Sequence, residues 1–112
     1  MTYVRDLTMK IVMVTGASSG IGAEFVRQLD QSFNRIDEIW MIARNVEKME
    51  EIASTLQNHT RIIGLDLEKE EQRKELQLLI EKETPNICML VNCAGFGLMG
   101  EVEKLTLKSS WL

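Results

Sequence analysis

The sequence holds only two cysteines, one histidine and one tyrosine in 112 residues, and its basic side chains form no cluster. Each scarcity narrows what the chain can do. Cys88 and Cys93 lie in one apolar run with no second pair nearby, a pattern that argues against a zinc site and favours reduced, buried thiols over a disulfide. No metal centre is therefore expected. His59 falls in a break between periodic segments, without a Ser or Cys partner at a fixed offset, and reads as a solvated turn residue rather than a catalyst. A net charge of −4 spread along the chain argues against nucleic acid or an anionic membrane surface as partner. No apolar run approaches the roughly 20 residues of a membrane span. The first residues lack the hydrophobic block of a secretory signal, so a cytoplasmic location is the expectation.

What the chain does contain is ordinary for a globular domain: 45% hydrophobic and 27% charged residues, enough for one modest core. Residues 1–112 read as a single unit with no linker, repeat or low-complexity stretch. Residues 10–15 are a short β-rich apolar run, expected as a buried strand. From Gly20, the residues Ile21, Phe25 and Leu29 recur at helical spacing up to about residues 32–34, giving the expected inward face of a helix. Residues 38–43 form a second apolar strand. Asn45 then offers a helix N-cap ahead of a stripe of Val46, Met49, Ile52, Ala53 and Leu56. Residues 61–66 read as a third strand, and a charged helix follows with Leu76, Leu79 and Ile80 inward, stopping before Pro85. Residues 87–92 are a fourth strand, 94–97 a glycine-rich loop, and 106–112 the start of a further helix. The methionines and Trp40 are assigned to the core.

Strands that are apolar throughout and alternate with helices imply a parallel sheet covered on both faces. The fold class is thus α/β, a Rossmann-type doubly wound parallel sheet in the order 3-2-1-4, broken off after the fourth strand. Right-handed crossovers put the first two helices on one face and the third on the other.

The run Thr15-Gly16-Ala17-Ser18-Ser19-Gly20-Ile21-Gly22 sits at the first strand-to-helix junction and carries the chemistry. Glycines there allow a tight turn and close approach of a ligand, and the helix N-terminus offers free N–H groups and a positive dipole end to a phosphate. No Lys-Ser or Lys-Thr follows the last glycine, which excludes a P-loop. The alternative is an ordinary glycine-rich turn.

This run resembles the glycine motif Thr-Gly-x-x-x-Gly-x-Gly of the short-chain dehydrogenase/reductase family, with Thr15, Gly16, Gly20, Ile21 and Gly22 in place. The resemblance continues from Lys10 through the rest of the chain. It implies that Gly16, Ser18, Ser19, Gly20, Ile21 and Gly22 wrap the pyrophosphate and ribose of a dinucleotide, with Ile21 toward the nicotinamide. At the end of the second strand, where NAD-preferring sites place an acidic residue, this chain has Ala43 and Arg44. A small residue followed by a guanidinium suits a 2′-phosphate, so NADP is the expected cofactor and NAD the less favoured one. The alternative for Arg44 is a surface residue opening a helix. Asp66 and Leu67 match the family pair that meets the adenine. Asp66 is equally suited to capping the charged helix, and both roles stay open.

Asn92, Ala94 and Gly95 match the family's Asn-Asn-Ala-Gly, whose Asn braces the sheet and whose small pair lies against the ribose. Cys93 replaces the second Asn and reads as a small filler rather than a nucleophile.

The family's proton-transfer pair, Tyr-x-x-x-Lys, does not occur here: the one tyrosine is Tyr3, and Leu7 stands four residues later. No catalytic residue is assigned to this chain, which is expected to be the cofactor-binding half of a longer enzyme. Such an enzyme would move a hydride between NADP(H) and a small-molecule carbonyl or secondary alcohol, and the resemblance implies a homo-oligomer. The alternative function is a non-catalytic NADP(H)-binding or interaction module. A methyltransferase-like nucleotide fold is less favoured, since its glycine loop has no use for Arg44.

Overall fold

The computed structural model describes residues 8–33 and 35–93. The chain alternates strands and helices in the order β1 (Lys10–Thr15), α1 (Gly20–Ser32), β2 (Glu38–Ala43), α2 (Val46–Ala53), β3 (Thr60–Gly64), α3 (Glu70–Glu83) and β4 (Asn86–Asn92). All strand pairs are parallel, and the sheet order is β3-β2-β1-β4. The step from β3 across to β4 reverses the direction of winding. At that reversal the crevice between β1 and β4 opens at the carboxyl ends of the strands, the usual ligand position in open α/β sheets. The glycine-rich loop expected over 94–97 and the helix expected over 106–112 lie outside the described residues.

The two faces of the sheet are covered as the crossover rule requires. Val12, Val14, Ile39 and Met41 pack against Ala23, Val26 and Leu29 of α1 and Met49 and Ile52 of α2. Ile11, Met13, Trp40 and Ile42 point the other way, onto Leu67 and onto Leu76 and Ile80 of α3. Strands β1 and β2 are buried on both faces, which explains their unbroken apolar sequences. Strands β3 and β4 flank them as edges among the described residues, and their side chains are correspondingly more exposed.

Three expectations need correction. The inward face of α1 consists of Gly22, Ala23, Val26, Leu29 and Asp30, whereas Ile21 is 71% and Phe25 43% exposed. The spacing Ile21, Phe25, Leu29 has the helical period, but its phase is overridden by Gly22, which must face the turn from which α1 emerges. The third strand ends at Gly64 rather than at residue 66, because Leu65 is the last residue to donate to the neighbouring strand's end, Ala43. The thiols are free, but Cys88 is exposed and Cys93 half-buried, since among the described residues β4 has a strand neighbour on one side only.

At the amino ends of the strands, Arg61 of β3 is stacked over Trp40, 4.8 Å from the ring centroid, and pairs with Glu38 and with Glu83 of α3. Trp40 donates its indole N–H to Glu38 at 3.1 Å. The hydrogen bond to Glu83, against a smaller opposing effect of burial, holds the guanidinium above its ordinary pKa. This knot fixes the carboxyl end of α3 against the sheet.

A second clamp joins the end of α1 to the loop before β3. Asp30 is only 5% exposed; its carboxylate accepts from the backbone N–H of Gln57 at 3.0 Å and of Asn58 at 2.8 Å, and from Asn58 Nδ2 at 2.9 Å. Burial alone would raise its pKa, but these donors outweigh burial and hold it below 3.8. A depressed carboxylate pKa contributes stability that is present above the unfolded-state value and is lost as pH falls through the folded one. Asp30→Asn should therefore destabilise the fold by about 1–2 kcal/mol at neutral pH, because an amide N–H would face a backbone N–H. The difference between variant and parent should shrink below about pH 4 in urea titrations. A pH-independent difference would show that the clamp does not act through its charge.

Candidate functional site: a cleft at the carboxyl ends of the strands

The turn after β1 is built by two glycines with separate duties. Gly16 adopts φ 68°, in the left-handed region that a side chain disfavours. Its N–H and that of Ala17 donate to the carbonyl of Ile42, at 2.8 and 3.3 Å, fastening the turn to the end of β2. Gly22 lies directly above: a Cβ on it would stand 2.0 Å from the carbonyl oxygen of Gly16. The close approach of helix to turn is possible only without that atom.

Ser19 is the N-cap of α1. Its hydroxyl donates to the carbonyl of Gly16 at 2.8 Å and accepts from the N–H of Gly22 at 3.0 Å. Its backbone carbonyl takes the N–H of Ala23 at 2.7 Å. The first-turn N–H groups of Gly20 and Ile21 have no intrahelical acceptor, and both residues are exposed.

Gly20 is different again. It does not use the left-handed region, and a Cβ on it would meet nothing within 4 Å among the described residues. Neither its backbone conformation nor packing against the described residues calls for glycine there. The missing side chain keeps space open at the helix N-terminus.

The loop after β2 brings Arg44 and Asn45 to the same rim. Asn45 Oδ1 accepts from the N–H of Lys48 at 3.0 Å, which makes Asn45 the N-cap of α2, as its position in the sequence suggests. Arg44, exposed, stands between β2 and this cap.

The loop after β3 supplies Leu65, Asp66, Leu67 and Glu68. Leu67 is buried in the core beneath α3, so it anchors the loop from below. Asp66 is not the cap of the charged helix. That helix begins at Glu70 after Lys69, without a side-chain cap. The carboxylate of Asp66 instead accepts from the N–H of Glu68 at 3.1 Å, a short turn of its own. The helix is held off by four residues because the chain must first bury Leu67.

Strand β4 contributes from the other side. Asn92 Oδ1 accepts from the hydroxyl of Thr15 at 2.6 Å, and the N–H of Cys93 donates to the Thr15 carbonyl at 2.9 Å. Thr15 is wholly buried, so this bond ties β4 to the strand that carries the glycine turn. Burial pushes the Cys93 thiol above its ordinary pKa, which keeps it protonated and a poor nucleophile.

These loops surround one cleft of about 400 Å³, lined by Gly16, Ser18, Ser19, Ile42, Ala43, Arg44, Asn45, Leu65, Asp66, Leu67, Glu68 and Cys93. Of the residues the sequence singled out, Gly16, Ser18, Ser19, Arg44, Asp66 and Leu67 line it. Gly22 and Asn92 lie behind its walls and hold them in place, and Gly20 and Ile21 stand at the helix end beside it. Ala94 and Gly95 lie outside the described residues. Sequence reasoning did not count Ile42, Ala43, Asn45, Leu65, Glu68 and Cys93 among the site residues; their closeness in sequence to Arg44, Asp66 and Asn92 was the available signal.

The family model for short chain dehydrogenase matches residues 10–112. An uncharacterized oxidoreductase of Staphylococcus epidermidis is 28% identical over 93 residues, covering 83% of this chain and 39% of that protein. The bulky-bulky ketone specific alcohol dehydrogenase of Comamonas testosteroni superposes with a TM-score of 0.64 at 27% identity, over 81% of this chain and 37% of its own. RhlG of Pseudomonas aeruginosa, solved as an NADP active-site complex, gives a TM-score of 0.64 at 26% identity, over 93% of this chain and 44% of its own. The chain belongs to the short-chain dehydrogenase family, whose members bind NAD(P), and corresponds to its amino-terminal portion. It spans between 30% and 41% of the length of the curated relatives it matches.

Proposed function

We propose that this chain is a single nucleotide-binding unit that holds the adenosine and pyrophosphate portion of NADP(H), within an oxidoreductase acting on a carbonyl or secondary alcohol. The observation that carries this reading is Gly20, a glycine that nothing among the described residues requires, in the first turn of a helix whose leading N–H groups have no intrahelical acceptor. A cradle kept empty by a missing side chain fits a pyrophosphate, and the amide donors beside it fit its charge. The cleft that runs from Ser18 and Ser19 past Arg44 to Asp66 is continuous and suits an extended nucleotide.

In this assignment Gly16, Ser18, Ser19 and Gly20 face the pyrophosphate, Ile21 lies toward the nicotinamide, and Gly22 keeps the turn closed. Arg44 meets the ribose 2′-phosphate, since no carboxylate stands at the end of β2 to repel it. Asp66 and Leu67 hold the adenine, Ala94 and Gly95 are assigned to the ribose, and Asn92 braces β4 through its bond to Thr15. RhlG, solved with NADP, supports the choice of NADP over NAD by likeness. When bound, the nicotinamide would supply hydride chemistry. The sequence contains no Tyr-x-x-x-Lys pair, so proton transfer is assigned to none of its residues.

Calorimetric titration of the chain with NADPH and NADH tests the reading. NADPH is expected to bind at least about tenfold more tightly, a difference of about 1.4 kcal/mol. Equal affinities would remove the 2′-phosphate assignment, and binding of neither would remove the function itself.

A further inference from the structure

Two side chains in the first turn of α3 reach back to the cleft loop after β3. Gln72 Oε1 accepts from the backbone N–H of Asp66 at 2.6 Å. Arg73 Nη1 donates to the carbonyl of Leu67 at 3.0 Å and to that of Glu68 at 3.1 Å. Three consecutive residues of the loop, each lining the cleft, are thus held through their main chain by two residues that do not line it. The loop's own anchors are the buried Leu67 side chain and the Leu65 N–H bond to the Ala43 carbonyl, which fix its depth, and the Glu68 N–H that the Asp66 carboxylate accepts at 3.1 Å. The bond from Asp66 N–H to Gln72 fixes the peptide plane just before the Asp66 Cα, and the Arg73 bonds fix the Leu67–Glu68 plane, whose N–H the Asp66 carboxylate accepts, and the plane after it. Together they set the aim of the carboxylate.

We infer that Gln72 and Arg73 are positioning residues for base recognition: through the Asp66–Glu68 backbone they orient the Asp66 carboxylate toward a purine amino group. The inference rests on the proposed adenine role of Asp66. Neither residue touches the ligand, so their effect falls on discrimination between bases more than on the phosphate contacts, which are made at α1. Arg73 supplies two bonds from one nitrogen to carbonyls, a geometry no shorter side chain at that position would reproduce. Gln72 acts as an acceptor, a task its carboxylate counterpart also performs, and Glu at the third position of a helix suits the dipole.

The test is a paired titration of the full chain with NADPH and with its hypoxanthine counterpart, which lacks the amino group. The parent is expected to prefer the adenine cofactor by about tenfold, the scale of one hydrogen bond to a charged acceptor. Gln72→Ala should reduce that preference to about twofold or less, while Gln72→Glu should restore it. Arg73→Met, which keeps the aliphatic stem, should act like Gln72→Ala and serves if that variant fails to fold. Loss of affinity for both cofactors by the same factor, with the ratio intact, would overturn the inference and leave only a structural role. A parent that binds both cofactors equally would overturn it together with the adenine role of Asp66, while leaving the phosphate site standing. A parent that binds neither would overturn the proposed function as well.

Discussion

Gly22→Ala is expected to destabilise the fold by about 3 kcal/mol or more and to remove nucleotide binding along with it. The added methyl would lie 2.0 Å from the Gly16 carbonyl oxygen and 2.8 Å from its carbon, both main-chain atoms that no rotamer change can move away. The turn would have to open, which breaks the Ser19 bonds to Gly16 and Gly22 and loosens the Gly16 N–H bond to Ile42. For a domain of this size the thermal midpoint should fall by about 12–20 °C. Gly20→Ala is the informative companion. Its methyl meets nothing among the described residues, so the midpoint should stay within about 3 °C of the parent's. NADPH affinity should nonetheless fall by about fivefold to a hundredfold as the cradle fills. If Gly20→Ala left binding unchanged, the space at the helix end would not be ligand space.

The second large effect concerns Arg44. Its guanidinium stands exposed on the rim, between the end of β2 and the cap of α2, and lines the cleft. A guanidinium–phosphate contact contributes about 1.5–3 kcal/mol, so Arg44→Ala should weaken NADPH by about 10- to 150-fold. NADH, which has a hydroxyl in place of that phosphate, should change by no more than about twofold. The selectivity for NADPH would then disappear without loss of the site. Equal weakening of both cofactors would mean that Arg44 shapes the loop and does not read the phosphate.

The contrast between the two glycines shows what could be read from the sequence and what could not. Strand identity, parallel order and the faces taken by each helix follow from local apolar runs and from the handedness of crossovers, and the structure has them. The cleft residues Gly16, Ser19, Arg44 and Asp66 were also legible, because each lies within four residues of the end of a strand. The phase of α1 was not. Ile21, Phe25 and Leu29 satisfy the helical period as well as Gly22, Val26 and Leu29 do. Only the contact between Gly22 and Gly16 decides between them. Asp66 looked like a helix cap for a similar reason: capping residues and turn residues share one chemistry, and the burial of Leu67 moved the helix start to Glu70. Gln72 and Arg73 carried no signal at all within a charged amphipathic helix. Their role exists only where the loop folds back over them.

The central claim is that one surface, at the carboxyl ends of the strands, holds a dinucleotide by its adenosine and phosphate end. The most direct measurement is an amide NMR map of the isotope-labelled chain, with NADPH raised to about 1 mM, enough to reveal even millimolar affinity. Resonances of Gly16, Ser18, Ser19, Gly20, Arg44, Asp66 and Leu67 should move together along one saturation curve. Those of His59, Arg61 and Glu83 at the opposite end of the sheet should stay in place. Shifts confined to that opposite end, or no shift in the glycine turn at saturation, would contradict the account.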